Sequence, residues 1–450
     1  MKVAKFGGTS LATSEQIQKV CDIVRADPER RLIVVSAPGK RNKQDTKVTD
    51  LLIRCAEKYL AEGQADVEIQ AVIDRYADIV RGLDLPEDVV EDIAAHLRER
   101  LRYDTSNREH YIDAMKAAGE DNCARLVSRY LNHLGEEAHY IDPKEAGMLL
   151  TSEFGNAQVL PESYEKLARL KDAPGISVFP GFFGYSPDGE IVTFPRGGSD
   201  ITGAILAAAV KAEVYENFTD VDSVFAARPD VVPNPRAVHE LTYGEMRELS
   251  YAGFSVFHEE ALSPVYLAHI PVCIKNTNNP SASGTTIVPK RTRPPVGPVV
   301  GIASDGGFAT VYVDKYLMNR ELGFGRRLLQ IFEEAGLSYE HTPSGIDSIS
   351  VVLRESAFTP EKEREVLRQI QETLKPDDVS VERDLALIMI VGEGMRYTVG
   401  LAARMTKAFA AANVNIEMIN QGSSELSVMF GVKEGDADRA VRALYNEFFT

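Results

Sequence analysis

Residues 289–298 read Pro-Lys-Arg-Thr-Arg-Pro-Pro-Val-Gly-Pro. Each proline removes a backbone donor and clashes with a preceding helical turn, so this stretch can hold neither a helix interior nor a central strand. No single sheet or bundle can run through it, and it reads as a linker. A chain of 450 residues already exceeds one ordinary core. The linker therefore divides it into an N-terminal part, 1–288, and a C-terminal part, 299–450, that fold separately.

The N-terminal part has α/β rhythm. A short strand at 2–6 runs into Gly7-Gly8-Thr9-Ser10. Ile17, Val20, Cys21 and Val24 then recur at helical spacing, and 31–36 is a buried strand. That order favours a parallel sheet covered by helices. Residues 48–134 are mostly helical and charged, broken near Leu85-Pro86, with a helix expected over 120–134. Strands return at 138–141, 175–179, 190–194, 213–218 and 271–275, and an Ala-rich helix is expected over 201–212. The α/β domain ends near Val288.

Beyond the linker the rhythm changes. Strands are expected at 308–314, 337–342, 348–353 and 378–383, with helices at 322–335 and 360–374. That is one βαββαβ module. A second follows as strand 385–391, helix 398–413, strands 414–418 and 426–432, and helix 437–448. It lacks a last strand, which would leave an open edge. The spare strand 299–303 completes it, so the first module is expected to be inserted in the second.

The net charge of −17 argues against nucleic acid as a partner. An anionic ligand would then need a locally positive site. The longest apolar runs, 204–210 and 385–391, fall far short of the roughly 18–20 residues of a membrane span. No signal-peptide core follows Met1. The four cysteines form no CxxC pair, which fits free thiols in the cytoplasm. The histidines show no metal-ligand spacing, and no metal site is expected.

Two segments carry chemistry. Lys5-Phe6-Gly7-Gly8-Thr9-Ser10 is not a Walker A loop, yet it suits phosphate: a cation at a strand end, glycines that allow close approach, and a helix aiming its N–H groups. It could equally be a tight turn with Thr9 or Ser10 as an N-cap. Arg196-Gly197-Gly198-Ser199-Asp200 repeats the device. Arg196 can fork onto a carboxylate, while Asp200 suits a helix start with or without catalysis. Together they read as two anion holders facing one crevice. Glu120 serves either as first-turn dipole complement or as acceptor for a ligand ammonium. Thr219-Asp220 is either a nucleotide contact or a loop cap.

KFGGTS, the SAPG turn at 36–39, Gly119-Glu120, RGGSD, TDVD at 219–222 and IKNTNNP at 274–280 occur in that order. With the double βαββαβ tail, the whole chain resembles aspartate kinases of the amino-acid kinase superfamily. The resemblance implies a three-layer α/β kinase domain with a mostly parallel central sheet over 1–290. Two α+β ACT modules follow, one over 299–303 plus 384–450 and one over 304–383. It implies transfer of phosphate from ATP, with Mg²⁺, to L-aspartate, the first step towards lysine, threonine and methionine. Catalysis would fall to Lys5 and Asp200. Thr49, Glu120, Arg196, Gly197, Gly198 and Ser199 would hold the substrate, Glu120 its ammonium and Arg196 its α-carboxylate. Lys5, Gly7, Gly8, Thr9, Ser36, Thr219 and Asp220 would meet the nucleotide, with Phe225 and Arg228 beside them. Met318, Phe324, Glu340 and Ser344 would line an effector site for lysine, with threonine a second candidate. A homodimer or larger assembly is implied, without membrane or nucleic acid.

This chain departs from the family at Phe225 (usually Tyr), at Arg228-Pro229-Asp230 (usually Asp-Pro-Arg), at Ser255 (usually Lys) and in the run after Glu120. Two other readings stay open at this point: a catalytically silent amino-acid sensor with the kinase fold, or a kinase for another amino acid.

Overall fold

In the computed structural model, residues 1–254, 261–291, 295, 297–422 and 426–450 are described. The segment read as a linker lies partly outside them. The chain forms two compact units. The first comprises Met1–Val224, Ala237–Ser250 and the described part of 255–292. The second comprises Phe225–Arg236, Tyr251–Phe254 and the described part of 293–450.

In the first unit the strand Lys2–Phe6 is buried at every position from Val3 to Phe6. Successive side chains point to opposite faces, so this strand needs cover on both sides. It pairs in parallel with Arg30–Val35 and Val214–Thr219. The sheet has eight strands in the order Glu240–Thr242, Thr285–Val288, Val272–Asn276, Val214–Thr219, Lys2–Phe6, Arg30–Val35, Ile176–Pro180, Ala138–Tyr140. Every neighbouring pair is parallel except Val272–Asn276 with Thr285–Val288. The mostly parallel central sheet expected from sequence is present.

Residues 48–134 form four helices: Val48–Glu62, Asp66–Gly82, Asp88–Leu101 and Arg108–His133. The last corrects the sequence reading. It does not begin at Glu120 but twelve residues earlier, where the Asn107 side chain accepts from the Glu109 and His110 amides. Gly119 is no start signal. A Cβ there would lie 2.8 Å from the Ala37 Cβ, so glycine lets this helix press against the SAPG turn.

The second unit holds one antiparallel sheet of five strands: Ser348–Arg354, Gly301–Asp314, Asp378–Val391, Ser427–Lys433, Met418–Gln421. The strands expected at 299–303 and 308–314 are one strand, irregular between Asp305 and Phe308, where Gly307 has φ +77°. Those expected at 378–383 and 385–391 are likewise one strand, bent at Asp384 with φ +58°. Gly301–Asp305 pairs with Leu387–Val391, and Phe308–Asp314 with Ser348–Arg354.

Two expected strands fail for one shared reason. After the helix Phe324–Glu334, Gly336 turns left-handed and the Leu337 amide bonds back to the Phe332 carbonyl. After the helix Leu401–Ala411, Asn413 does the same and Val414 bonds to Phe409. These six-to-one helix closures consume the residues that would have opened each strand. What remains of 337–342 is an irregular pairing through His341 and Val352, and the later strand starts only at Met418. Among the described residues no helix is long and apolar enough to cross a membrane.

Candidate functional site

Lys5 ends the buried first strand and is 8% exposed. Its ammonium lies 2.5 Å from Asp200 Oδ1. The same oxygen accepts from Asn217 Nδ2 at 2.7 Å. Lys5 and Asn217 are register partners on neighbouring parallel strands, so both side chains rise on one face. Asp200 reaches them from the first turn of the helix Gly198–Val210. That helix can start there because Gly197 adopts φ +83°. A Cβ on Gly198 would stand 2.6 Å from Phe182 Cδ2. Asp200 is therefore the partner of a nearly buried lysine, beyond any dipole role.

The KFGGTS segment departs from its sequence reading. It leads into a short 3-10 turn, Gly8–Leu11, and the α-helix begins only at Ser14, capped by Thr13. Thr9 is exposed. Ser10 caps nothing, since its hydroxyl bonds Thr277 Oγ1 at 2.7 Å. The Gly7 amide is already given to the Phe218 carbonyl at 3.1 Å. Gly8 serves close packing: Gly39 donates to its carbonyl at 2.7 Å, and a Cβ on Gly39 would lie 2.5 Å from the Gly8 carbonyl carbon. The KFGGTS and SAPG turns thus touch backbone to backbone. Thr219 ends the adjacent strand, its hydroxyl donating to Asp220 at 3.2 Å and its carbonyl accepting from the Thr277 amide.

A cavity of about 340 Å³ opens beside the Lys5–Asp200 pair. Of the expected residues, Lys5, Ser36, Thr49 and Glu120 line it, and so do Arg196, Gly197, Gly198, Ser199 and Asp200. Sequence reasoning missed Lys47, Asp50, Lys116, Gly155, Phe182 and Phe194. The cavity counts four basic side chains, Lys5, Lys47, Lys116 and Arg196, against the three acids Asp50, Glu120 and Asp200.

Glu120 is 5% exposed and its Oε2 has no hydrogen-bond partner among the described residues. Burial pushes its carboxyl up from 4.5 to about 7, opposed by the Ala37 amide and by Lys47 and Lys116. Arg196 is exposed and has no carboxylate partner among the described residues. Phe182 adopts φ +76°, a strained conformation for an aromatic residue, its amide held by Thr202 Oγ1 at 3.0 Å. Lys116 stands 5.7 Å from the centre of the Phe182 ring. A left-handed phenylalanine carries no sequence signal. Lys116 does, as the residue one turn before Glu120, but only if the helix is known to extend that far.

Other expected residues lie elsewhere. Phe225 and Arg228 belong to the second unit, where Arg228 is paired with Asp230 at 3.1 and 2.5 Å. Ser255 lies outside the described residues. Met318 and Phe324 are buried in the core formed with Val311, Leu328 and Val351. Glu340 accepts from the Tyr251 hydroxyl and lies 3.4 Å from Arg354 Nε, and Ser344 is exposed. Among the described residues no group of three or more His, Cys, Asp or Glu side chains is set to hold a metal.

Comparison with known proteins adds an independent line. The amino acid kinase family model matches residues 1–276, and an ACT-domain model matches 388–448. Aspartokinase 3 of Bacillus subtilis is 59% identical over 449 residues, covering 100% of this chain and 99% of that protein. The crystal structure of Clostridium acetobutylicum aspartate kinase superposes with a TM-score of 0.88 at 38% identity, each chain fully covered. E. coli aspartokinase III, 26% identical and fully covered, superposes at 0.81 in its R-state complex with aspartate and ADP. Its T-state complex with lysine and aspartate superposes at 0.74.

Proposed function

The chain belongs to the aspartokinases of the amino acid kinase family, and from that premise we infer that it transfers the γ-phosphoryl group of ATP to the side-chain carboxylate of L-aspartate. One oxygen of that carboxylate attacks the γ-phosphorus while the bond from phosphorus to the β,γ-bridging oxygen breaks. The products are 4-phospho-L-aspartate and ADP, at the head of lysine, threonine and methionine synthesis. The observation that carries the reading is the union, in one cavity, of the Lys5–Asp200 pair with a buried Glu120 whose Oε2, without a partner among the described residues, suits an ammonium.

A side-chain carboxylate titrates near 3.9 and is ionised at neutral pH, so no general base is required. The obstacle is charge, because an anion must approach a polyphosphate. Positioning and electrostatic stabilisation overcome it. Lys5, fixed by Asp200, places a cation at the strand end. ATP enters as its magnesium complex, the metal held by phosphates and water and neutralising the charge on them. Glu120 takes the α-ammonium and Arg196 the α-carboxylate, with Thr49 and Ser199 alongside. An N-acylated substrate would leave Glu120 buried without a partner and be rejected. Gly7, Gly8, Thr9, Ser36, Thr219 and Asp220 are the proposed nucleotide contacts.

The catalytic domain is proposed to span 1–290. The regulatory part is proposed as two ACT modules, 304–383 inserted within 299–303 plus 384–450. The E. coli relative solved with lysine supports lysine as effector, at a site including Met318, Phe324, Glu340 and Ser344, with threonine a second candidate. Lysine then inhibits by favouring a low-activity state. The strand Met418–Gln421 ends its sheet, and a homodimer or larger assembly is proposed. Free cysteines support a cytoplasmic setting. The test is ADP release from Mg·ATP with and without L-aspartate, then with lysine and threonine. Aspartate-dependent release suppressed by either amino acid is expected. Release that ignores aspartate would overturn the reading.

A further inference from the structure

Asp113, Lys116 and Glu120 lie along one face of the helix Arg108–His133, three and then four residues apart. Asp113 is 2% exposed and engaged on both oxygens. Its Oδ2 accepts the Gly155 amide at 2.7 Å and the Thr193 amide at 2.8 Å, and its Oδ1 lies 2.7 Å from the Lys116 ammonium. Lys116 also donates to Thr193 Oγ1 at 3.1 Å. Two of its three ammonium protons are thus engaged, and the side chain lines the cavity. Glu120, one turn on, lines the same cavity with an oxygen that has no partner among the described residues.

An α-amino acid carries its ammonium and its carboxylate on the same carbon. A site for it must therefore set an anion and a cation side by side, which positions i and i+4 of a helix do. Resting on the reading that Glu120 takes the aspartate ammonium, we propose that Lys116 is a substrate-orienting cation that holds one oxygen of the α-carboxylate, sharing that group with Arg196. Asp113 is its positioning residue. The buried Asp113 anchor holds the ammonium at the cavity wall, and the helix fixes its spacing from Glu120. The substrate's α-carbon is then clamped by a rigid element, and the side-chain carboxylate is left to point toward Lys5. Arg196, on an exposed loop, completes the clamp from outside.

The test compares L-aspartate with its α-amide, in which the α-carboxylate is neutral and the phosphoryl acceptor unchanged. Lys116→Gln should raise KM for aspartate by about ten- to hundredfold, the worth of a charged hydrogen bond, with a much smaller change in kcat. It should also shrink the preference for aspartate over the amide by a similar factor, and Lys116→Arg should restore part of it. Should Lys116→Gln fail to fold because Asp113 is left unpaired, the Asp113→Asn/Lys116→Gln double variant serves the same comparison. An unchanged preference, whether both substrates weaken equally or neither does, overturns the proposal. Absence of aspartate-dependent turnover in the unsubstituted protein overturns the functional reading, and this proposal with it.

Discussion

Replacing Glu120 with glutamine should make the protein more stable and a worse enzyme. The carboxyl is buried, with one oxygen unpartnered among the described residues, and its pKa rises from 4.5 to about 7. Burial opposes the charged form, so the folded state binds this proton more tightly than the unfolded chain. Between pH 4.5 and 7 stability therefore falls as pH rises, and above about 7 the full cost of about 3 kcal/mol is present. Glutamine keeps the shape and removes the charge. Glu120→Gln should gain up to about 3 kcal/mol near pH 8, a gain that disappears as pH falls toward 4.5. The same change removes the partner of the substrate ammonium. It should raise KM for aspartate by a factor of about ten to a hundred or more, the equivalent of about 1.5–3 kcal/mol. In the unsubstituted enzyme, KM for aspartate should fall as pH rises through about 7, because only ionised Glu120 pairs with the ammonium. Urea denaturation at pH 8 and pH 5.5 with steady-state ADP release at both pH values would measure all three quantities. A variant less stable than the parent at pH 8, with unchanged KM, would refute the argument.

Asp200→Asn should lower kcat about a hundredfold or more while moving KM for aspartate little, because it removes the anion that fixes Lys5; ADP-release kinetics would separate the two constants. Gly198→Ala forces a methyl to within 2.6 Å of Phe182 and should cost about 1–3 kcal/mol in urea denaturation, with a loss of turnover because Phe182 lines the cavity. Gly39→Ala should raise KM for ATP more than KM for aspartate, since its methyl collides with the Gly8 backbone of the proposed nucleotide turn. Glu340→Ala should raise the lysine concentration for half-inhibition about tenfold, read from ADP release titrated with lysine.

The chain is strongly acidic, yet an aspartokinase takes an acidic amino acid and a polyphosphate together. Its long-range field repels both ligands, yet Lys5, Lys47, Lys116 and Arg196 line the cavity itself. Salt should therefore favour encounter by screening the global field more than it weakens partly buried contacts.

The one-dimensional pattern determined a good deal. Backbone period, glycine chemistry and proline content are local properties. They were enough to read the parallel strands around Lys2–Phe6, the glycine turns after Lys5 and Arg196, and the change of architecture past residue 289. Of the nine expected residues that meet in the cavity, Lys5 and residues 196–200 were legible at a strand end and a helix start, Glu120 lies inside its helix, and Ser36 and Thr49 followed only from the family resemblance. Element ends were less legible. The helix closures at Gly336 and Asn413 removed the opening residues of two strands, a choice made by backbone hydrogen bonds with no distinct sequence period. Bends at Gly307 and Asp384 let paired short strands run on as single ones, because an irregular residue or two does not break a ladder stabilised on both sides. Tertiary packing alone decided the rest. It pressed the middle of the helix Arg108–His133, at Gly119, against Ala37, while the start of that helix is the local cap at Asn107. It also set the left-handed Phe182, and the approach of Asp113 to amides at Gly155 and Thr193 that brings Lys116 to the wall. These depend on which segments meet across the fold, and sequence spacing carries no record of that.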